Sequence, residues 1–184
     1  MKQLLGIAGA LALLAAPAQA AHWNVDAAHS KLGFTVSWAK QPFTATFQTW
    51  KANIDFDPSN LAASKADVTI AIASENSGDS DTDGNIQGGI GFDAARFPAA
   101  HFVTTGFTHK SGNDYVAQGM LTLKGVTKPV TLPFKLVIDG KKAHMAGTAV
   151  VMRNQFGVGS GEWAVPATVA WDVKVNIDIT ATQN

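Results

Sequence analysis

Cysteine is absent from all 184 residues, which excludes a disulfide framework and any thiolate metal centre. Stability must therefore come from burial. Arginine is nearly absent too: only Arg96 and Arg153 occur, and the formal net charge is +0. Such a chain has no electrostatic footprint for nucleic acid or for an anionic membrane. The five histidines, His22, His29, His101, His109 and His144, show neither H-x-H nor H-x-x-x-H spacing, so no zinc site is indicated. No G-x-S-x-G elbow is present, and Ser160 in Gly159-Ser160-Gly161 reads as a turn serine. Beyond residue 20 no apolar run approaches the length of a membrane-spanning helix.

What is present begins with a leader. Met1–Ala20 carries Lys2, an apolar block from Leu4 to Ala16, and the ending Ala18-Gln19-Ala20. A basic start, a short apolar core and an A-x-A site describe a cleaved secretory signal peptide. With no cysteine after the block, a lipid anchor is excluded. The expectation is an exported, soluble protein of the bacterial periplasm, residues 21–184 forming one domain. About 160 residues can bury roughly two-thirds of their unfolded surface, enough for one core.

The mature chain alternates with period two almost throughout. Gln118–Ile138 shows it best: Gly119, Leu121 and Leu123, then Val130, Leu132, Phe134, Leu136 and Ile138, share one face, with Gly125 and Pro129 in the connection. That is a hairpin with one apolar side, which cannot be buried without further strands. Leu32, Phe34, Val36 and Trp38 alternate before Gln41-Pro42, which is expected to end the strand. Phe43, Ala45 and Phe47 continue on odd positions, whereas Trp50, Ala52, Ile54 and Phe56 fall on even ones. A bend near Gln48-Thr49 must absorb the change. Val68, Ile70 and Ile72 face inward. Phe102 and Phe107 differ in parity, a second bulge. Met145, Gly147, Ala149 and Val151, and then Trp171, Val173, Val175, Ile177 and Ile179, complete the pattern.

About eight antiparallel strands with short connections predict an all-β, lipocalin-like barrel, since closure removes exposed edges. Only Ser74–Pro98 departs from strand, and it reads as a flap or short helix, with Ile86 and Ile90 four apart. An outer-membrane barrel would share the alternation. It is disfavoured by the absence of an aromatic girdle and by the polar ending Thr182-Gln183-Asn184.

Small residues (Ala45, Ala52, Ala117, Gly119, Gly147, Ala149) share the inward face with large aromatics, so the centre is either filled by neighbours or left hollow. A hollow would be lined by hydrocarbon and would take a long-chain lipid at about 0.8 kcal/mol per buried methylene. The candidate lining comprises Phe34, Val36, Trp38, Phe43, Phe47, Ile54, Phe56, Ile70, Phe102, Phe107, Leu121, Phe134, Leu136, Met145 and Trp171, with Ile86, Ile90 and Phe92 closing it. Arg153, at a strand end, is read either as closing the barrel by bonding backbone carbonyls or as touching a polar ligand head. Asp79-x-Asp81-x-Asp83-Gly84 copies half of a calcium loop, but Ile90 stands where the bidentate Glu belongs, so the stretch reads as a solvated acidic loop with weak calcium binding as the alternative.

Several motifs together resemble the YceI-like periplasmic polyisoprenoid-binding proteins. They are Asp26-x-x-His29-Ser30, Phe56-Asp57-Pro58, Phe92-Asp93 with Phe97-Pro98, Leu121-Thr122-Leu123-Lys124-Gly125-Val126-Thr127-Lys128-Pro129-Val130, and Arg153 followed by Phe156-Gly157-Val158-Gly159. The likeness spans the mature chain in order. It implies an isoprenoid or other long-chain lipid bound in the barrel, with no catalytic residue and no cofactor. Gly159-Ser160-Gly161-Glu162-Trp163 resembles the branch that accompanies b-type cytochrome membrane proteins, which implies quinone-related lipids and an inner-membrane partner, with the protein itself a monomer or homodimer. The chain departs from the family at Thr82-Asp83-Gly84-Asn85-Ile86, where many relatives carry R-D-x-H-L, and at Gly91. Two other classes stay open on the residues alone: a hydrolase or isomerase for a lipophilic substrate, which needs convergent polar groups inside, and a packed docking module, which needs a filled centre.

Overall fold

A computed structural model describes residues 20–184; apart from its last residue, the leader read over Met1–Ala20 lies outside them. The strands are β1 (Ala21–Val25), β2 (Lys31–Trp38), β3 (Gln41–Phe47), β4 (Trp50–Phe56), β5 (Lys65–Ala71), β6 (Glu75–Asn76), β7 (Ala99–Ser111), β8 (Asp114–Leu123), β9 (Val126–Asp139), β10 (Lys142–Met152) and β11 (Asp172–Gln183). One helix, α1 (Ser80–Gln87), follows β6. The ladder runs β1-β4-β5-β7-β8-β9-β10-β11 and closes through β1–β11, an eight-stranded antiparallel barrel. The upper half of β11 pairs instead with β2, then β3 and β6.

Side-chain parity explains why β1 and β2, and likewise β3 and β4, are separate pieces of one long path. The chain bends between Phe47 and Trp50, where the sequence requires a change of face, and Phe47 and Trp50 both end up lining the interior. The second expected bulge lies in β7, where the register with β8 slips between Thr104 and Gly106. It turns both Phe102 and Phe107 inward. Gly119 supports the first of these rings: a Cβ there would collide with Phe102.

Turn chemistry fits in one place and surprises in another. The β8–β9 hairpin turns at Lys124 (φ 49°) and Gly125 (φ 76°), the left-handed pair that matches strand twist. The β2–β3 turn uses Ala39 (φ 48°) and Lys40 (φ 66°), so Gln41-Pro42 does not end a strand as the sequence suggested. Pro42 sits inside β3 opposite Ser37, on the side of β3 that β6 reaches only at Thr46 and Phe47. A missing N–H costs nothing at such an unpaired edge.

The apolar face points inward all round the barrel, while Lys110, Lys128, Lys135, Asp172, Lys174 and Asp178 lie exposed on the strands. Two aromatic clusters occupy the interior. The lower one joins Phe56, Phe107, Tyr115 and Phe134 by edge and stacked contacts, and Trp23 fixes it by donating its indole N–H to the Phe56 carbonyl at 3.0 Å. The upper one joins Phe34, Phe43, Phe47 and Phe92, with Trp38 set against Phe43 and Trp163.

Candidate functional site

Between these clusters the barrel is hollow. A lower lobe offers 180 Å³ to the centre of a water-sized sphere, and an upper lobe 140 Å³. A water molecule needs only about 10–15 Å³ by that measure, and an apolar hollow of larger size stays dry and accepts hydrocarbon. Leu32, Ile70, Leu121, Val151 and Val175 line both lobes, so the two lobes adjoin across a single layer of apolar side chains, the waist that a chain occupying both has to pass.

The lining is almost without polar side chains. Among the described residues Thr104 is the sole hydroxyl that lines the lower lobe, and it is spent on the backbone, accepting from the Ala66 N–H at 2.7 Å and donating to the Ala66 carbonyl at 3.2 Å. Among the described residues Arg153 is the only charged one that lines the upper lobe, and it is 6% exposed. Its Nε donates to the Ala170 carbonyl and its Nη1 to that of Val158, both at 2.9 Å, and its Nη2 reaches the carbonyls of Trp163 and Val169. A side chain on Gly159 would occupy the guanidinium's place. Arg153 therefore stitches together the irregular segment 153–170, which closes the upper end, and the carbonyl-bonding role read for it is the one the geometry displays. Burial holds its pKa below the usual guanidinium value.

Most residues assigned to the lining by alternation are there. Ile54, Phe56, Phe102, Phe107, Phe134, Leu136 and Met145 line the lower lobe. Phe34, Val36, Trp38, Phe43, Phe47, Ile86 and Phe92 line the upper one, and Ile70 and Leu121 both. Two are corrected. Trp171 precedes the first ladder pair of β11, so the pleat does not direct it, and it is 39% exposed. Ile90 lies past the end of α1, not on its face. Its carbonyl accepts from the N–H groups of Gly159 and Ser160, and its side chain is 40% exposed.

Other lining residues were outside the assigned set. Trp50, Leu132, Val151 and Val175 carry the same parity as their assigned neighbours, so alternation already points to them. Trp23, Val158, Trp163 and Val169 have no alternation to betray them, since they sit in a short first strand or in the segment 153–170.

The acidic stretch is not a loop. Asp79 caps α1 by accepting from the Thr82 N–H at 2.8 Å, and Asp83 is buried, accepting from the Ser77 N–H at 2.8 Å and from its hydroxyl. Helix geometry turns these carboxylates to different tasks, and no group of three or more His, Cys, Asp or Glu suited to a metal ion occurs among the described residues.

Comparison with known proteins places these features in a wider set. The family model of the YceI-like domain matches residues 23–181. A UPF0312 protein of Photorhabdus laumondii is 38% identical over 148 residues, 76% of this chain and 74% of its own. BcnA of Burkholderia cenocepacia, known from its crystal structure, superposes with a TM-score of 0.83 at 33% identity, covering 86% of this chain and all of its own. A polyisoprenoid binding domain from Saccharophagus degradans shares the fold at a TM-score of 0.69 and 15% identity, over 89% of this chain and 99% of its own.

Proposed function

Because this chain belongs to the YceI-like family, we propose that it is a periplasmic carrier that sequesters an isoprenoid, of polyprenyl or quinone-like type, inside its barrel. The observation that carries this reading is the pair of adjoining lobes lined by hydrocarbon, in which the Thr104 hydroxyl and the Arg153 guanidinium are already committed to backbone partners. Affinity then comes from the chain alone, at about 0.8 kcal/mol per buried methylene. The polar head has no anchor inside and stays at a mouth, so head groups are discriminated weakly and chain length strongly. The name of the Saccharophagus degradans domain points to the same class of ligand.

Catalysis is not part of this reading: the Thr104 hydroxyl and the Arg153 guanidinium that line the lobes are both bonded to backbone. The donor or acceptor is taken to be an inner-membrane protein, the b-type cytochrome kind being the first to test.

The test is native mass spectrometry of protein purified from its own periplasm, followed by solvent extraction. A bound species of several hundred daltons that extracts as an isoprenoid supports the assignment. An empty barrel that also rejects added quinones and polyprenols refutes it.

A further inference from the structure

Glu75 is the one place among the described residues where a buried side-chain oxygen or nitrogen, its Oε1, has no hydrogen-bond partner. The residue is 3% exposed. It pairs with Phe47 across β6 and β3, and directly opposed residues project from the same face of a sheet. Phe47 lines the upper lobe; Glu75 leaves the sheet on the same side but is not among the lobe's lining residues, and lies against α1. There the Gln87 amide donates to the Glu75 carbonyl at 2.8 Å and lies 3.4 Å from Oε2.

The charged group that acts on Glu75 is Asp83 of α1, of like sign and itself buried. β3 contributes Thr46 and Phe47 opposite β6, and no cation contributes to the carboxyl's electrostatic environment. Burial first, and Asp83 in addition, push its pKa from 4.5 up to about 7.

α1 is inserted between β6 and β7 and is no part of the barrel ladder. Gly78 (φ +91°) precedes the helix and Gly88 caps its end. Beyond it the loop is pinned: Lys124 Nζ donates to the carbonyls of Gly89 at 3.0 Å and Gly91 at 2.7 Å, and the segment 153–170 holds Ile90. Ile86 packs into the upper cluster and Gln87 holds Glu75, Asp83 accepts from Ser77, and the carbonyls of Ile86, Gln87 and Gly88 accept from the N–H groups of Phe92, Ala94 and Asp93, so opening has to break these bonds together. α1 also sits where the sheet does not close, since β6 pairs with β3 and β7 pairs with β5 and β8.

We propose that α1 is a hinged lid over the upper lobe, latched by the neutral Glu75 carboxyl and released when that carboxyl ionises. As a portal for lipid, the lid rests on the carrier reading above. The closed lid keeps Glu75 protonated where the open, solvated residue has lost its proton. Between pH 4.5 and about 7 the closed state therefore binds one more proton. The closed-to-open ratio is highest below pH 4.5, falls by about tenfold per pH unit through that window, and is flat above it.

Hydrogen exchange of the lipid-free protein, corrected for intrinsic rates, reads this directly. Protection of α1 amides is expected to drop at least about tenfold between pH 5 and pH 8, while β9 and β10 remain protected. Glu75→Gln should remove the pH dependence, and Asp83→Asn should move its midpoint to lower pH. Release of diphenylhexatriene, a hydrocarbon probe with no titrating group, should accelerate over the same range. A flat α1 profile in the wild type, or an unchanged profile in Glu75→Gln with the strands intact, overturns the latch even if the probe binds. If α1 titrates but the probe never binds, the latch stands and the carrier reading falls.

Discussion

The two ends of the barrel close in different ways. The lower end is sheet throughout: β1 completes the ladder between β11 and β4, and Trp23, Phe56, Tyr115 and Phe134 fill the space beneath it. The upper end is closed by pieces that are not strands, α1 and the segment 153–170, held by one arginine and a few side chains. A continuous ladder opens only when the barrel unfolds, whereas inserted pieces can open separately. The upper end is therefore the one that can open without unfolding the barrel.

Substitutions can break this contrast in descending order of effect. Arg153→Met leaves carbonyls of Ala170, Val158, Trp163 and Val169 without their donor. It should cost on the order of 3–5 kcal/mol in urea melts, with amides of 153–170 losing exchange protection before those of β8 and β9. Phe56→Ala at the lower end should cost about 3–5 kcal/mol, and all of it should appear in the global midpoint. Equal local losses at both ends would dissolve the distinction.

Leu121→Trp narrows the waist without touching either end. Overpacking there should cost about 1–3 kcal/mol and weaken binding of a long polyprenol by about tenfold or more, a larger loss than for a ten-carbon chain that need not pass the waist. Titration calorimetry with the two chain lengths decides it. Ile86→Ala removes a buried side chain of the upper cluster; it should cost about 2 kcal/mol and speed exchange throughout α1 more than in the strands. Smallest of all, Lys135→Ala removes an exposed pair with Asp114 at 2.6 Å, and a change above about 1 kcal/mol would be unexpected.

How far the sequence reaches follows the same division. Period two names the inner face of nearly every strand, and the parity changes at Gln48-Thr49 and in β7 locate both irregularities before any coordinate is seen. That signal is strong because one residue of slip would expose a whole apolar face. It ends where the strands end. Trp171 has the parity of β11 but lies before its first ladder pair, and Ile90 has helical spacing from Ile86 but lies beyond Gly88. Trp163 and Val158 reach the hollow only because Arg153 gathers the carbonyls of a loop, a long-range arrangement with no local period. Glu75, one position in a two-residue strand, had no signal at all: its burial depends on where α1 folds over it.

The central claim is that one hydrocarbon chain runs through both lobes. Methyl-labelled protein with a bound polyprenol tests it directly, through intermolecular NOEs from the same ligand. Expected are NOEs to Met145 in the lower lobe, to Leu121 and Val175 at the waist, and to Val36 in the upper lobe. Contacts confined to the outer surface, or none at saturating ligand, would contradict it.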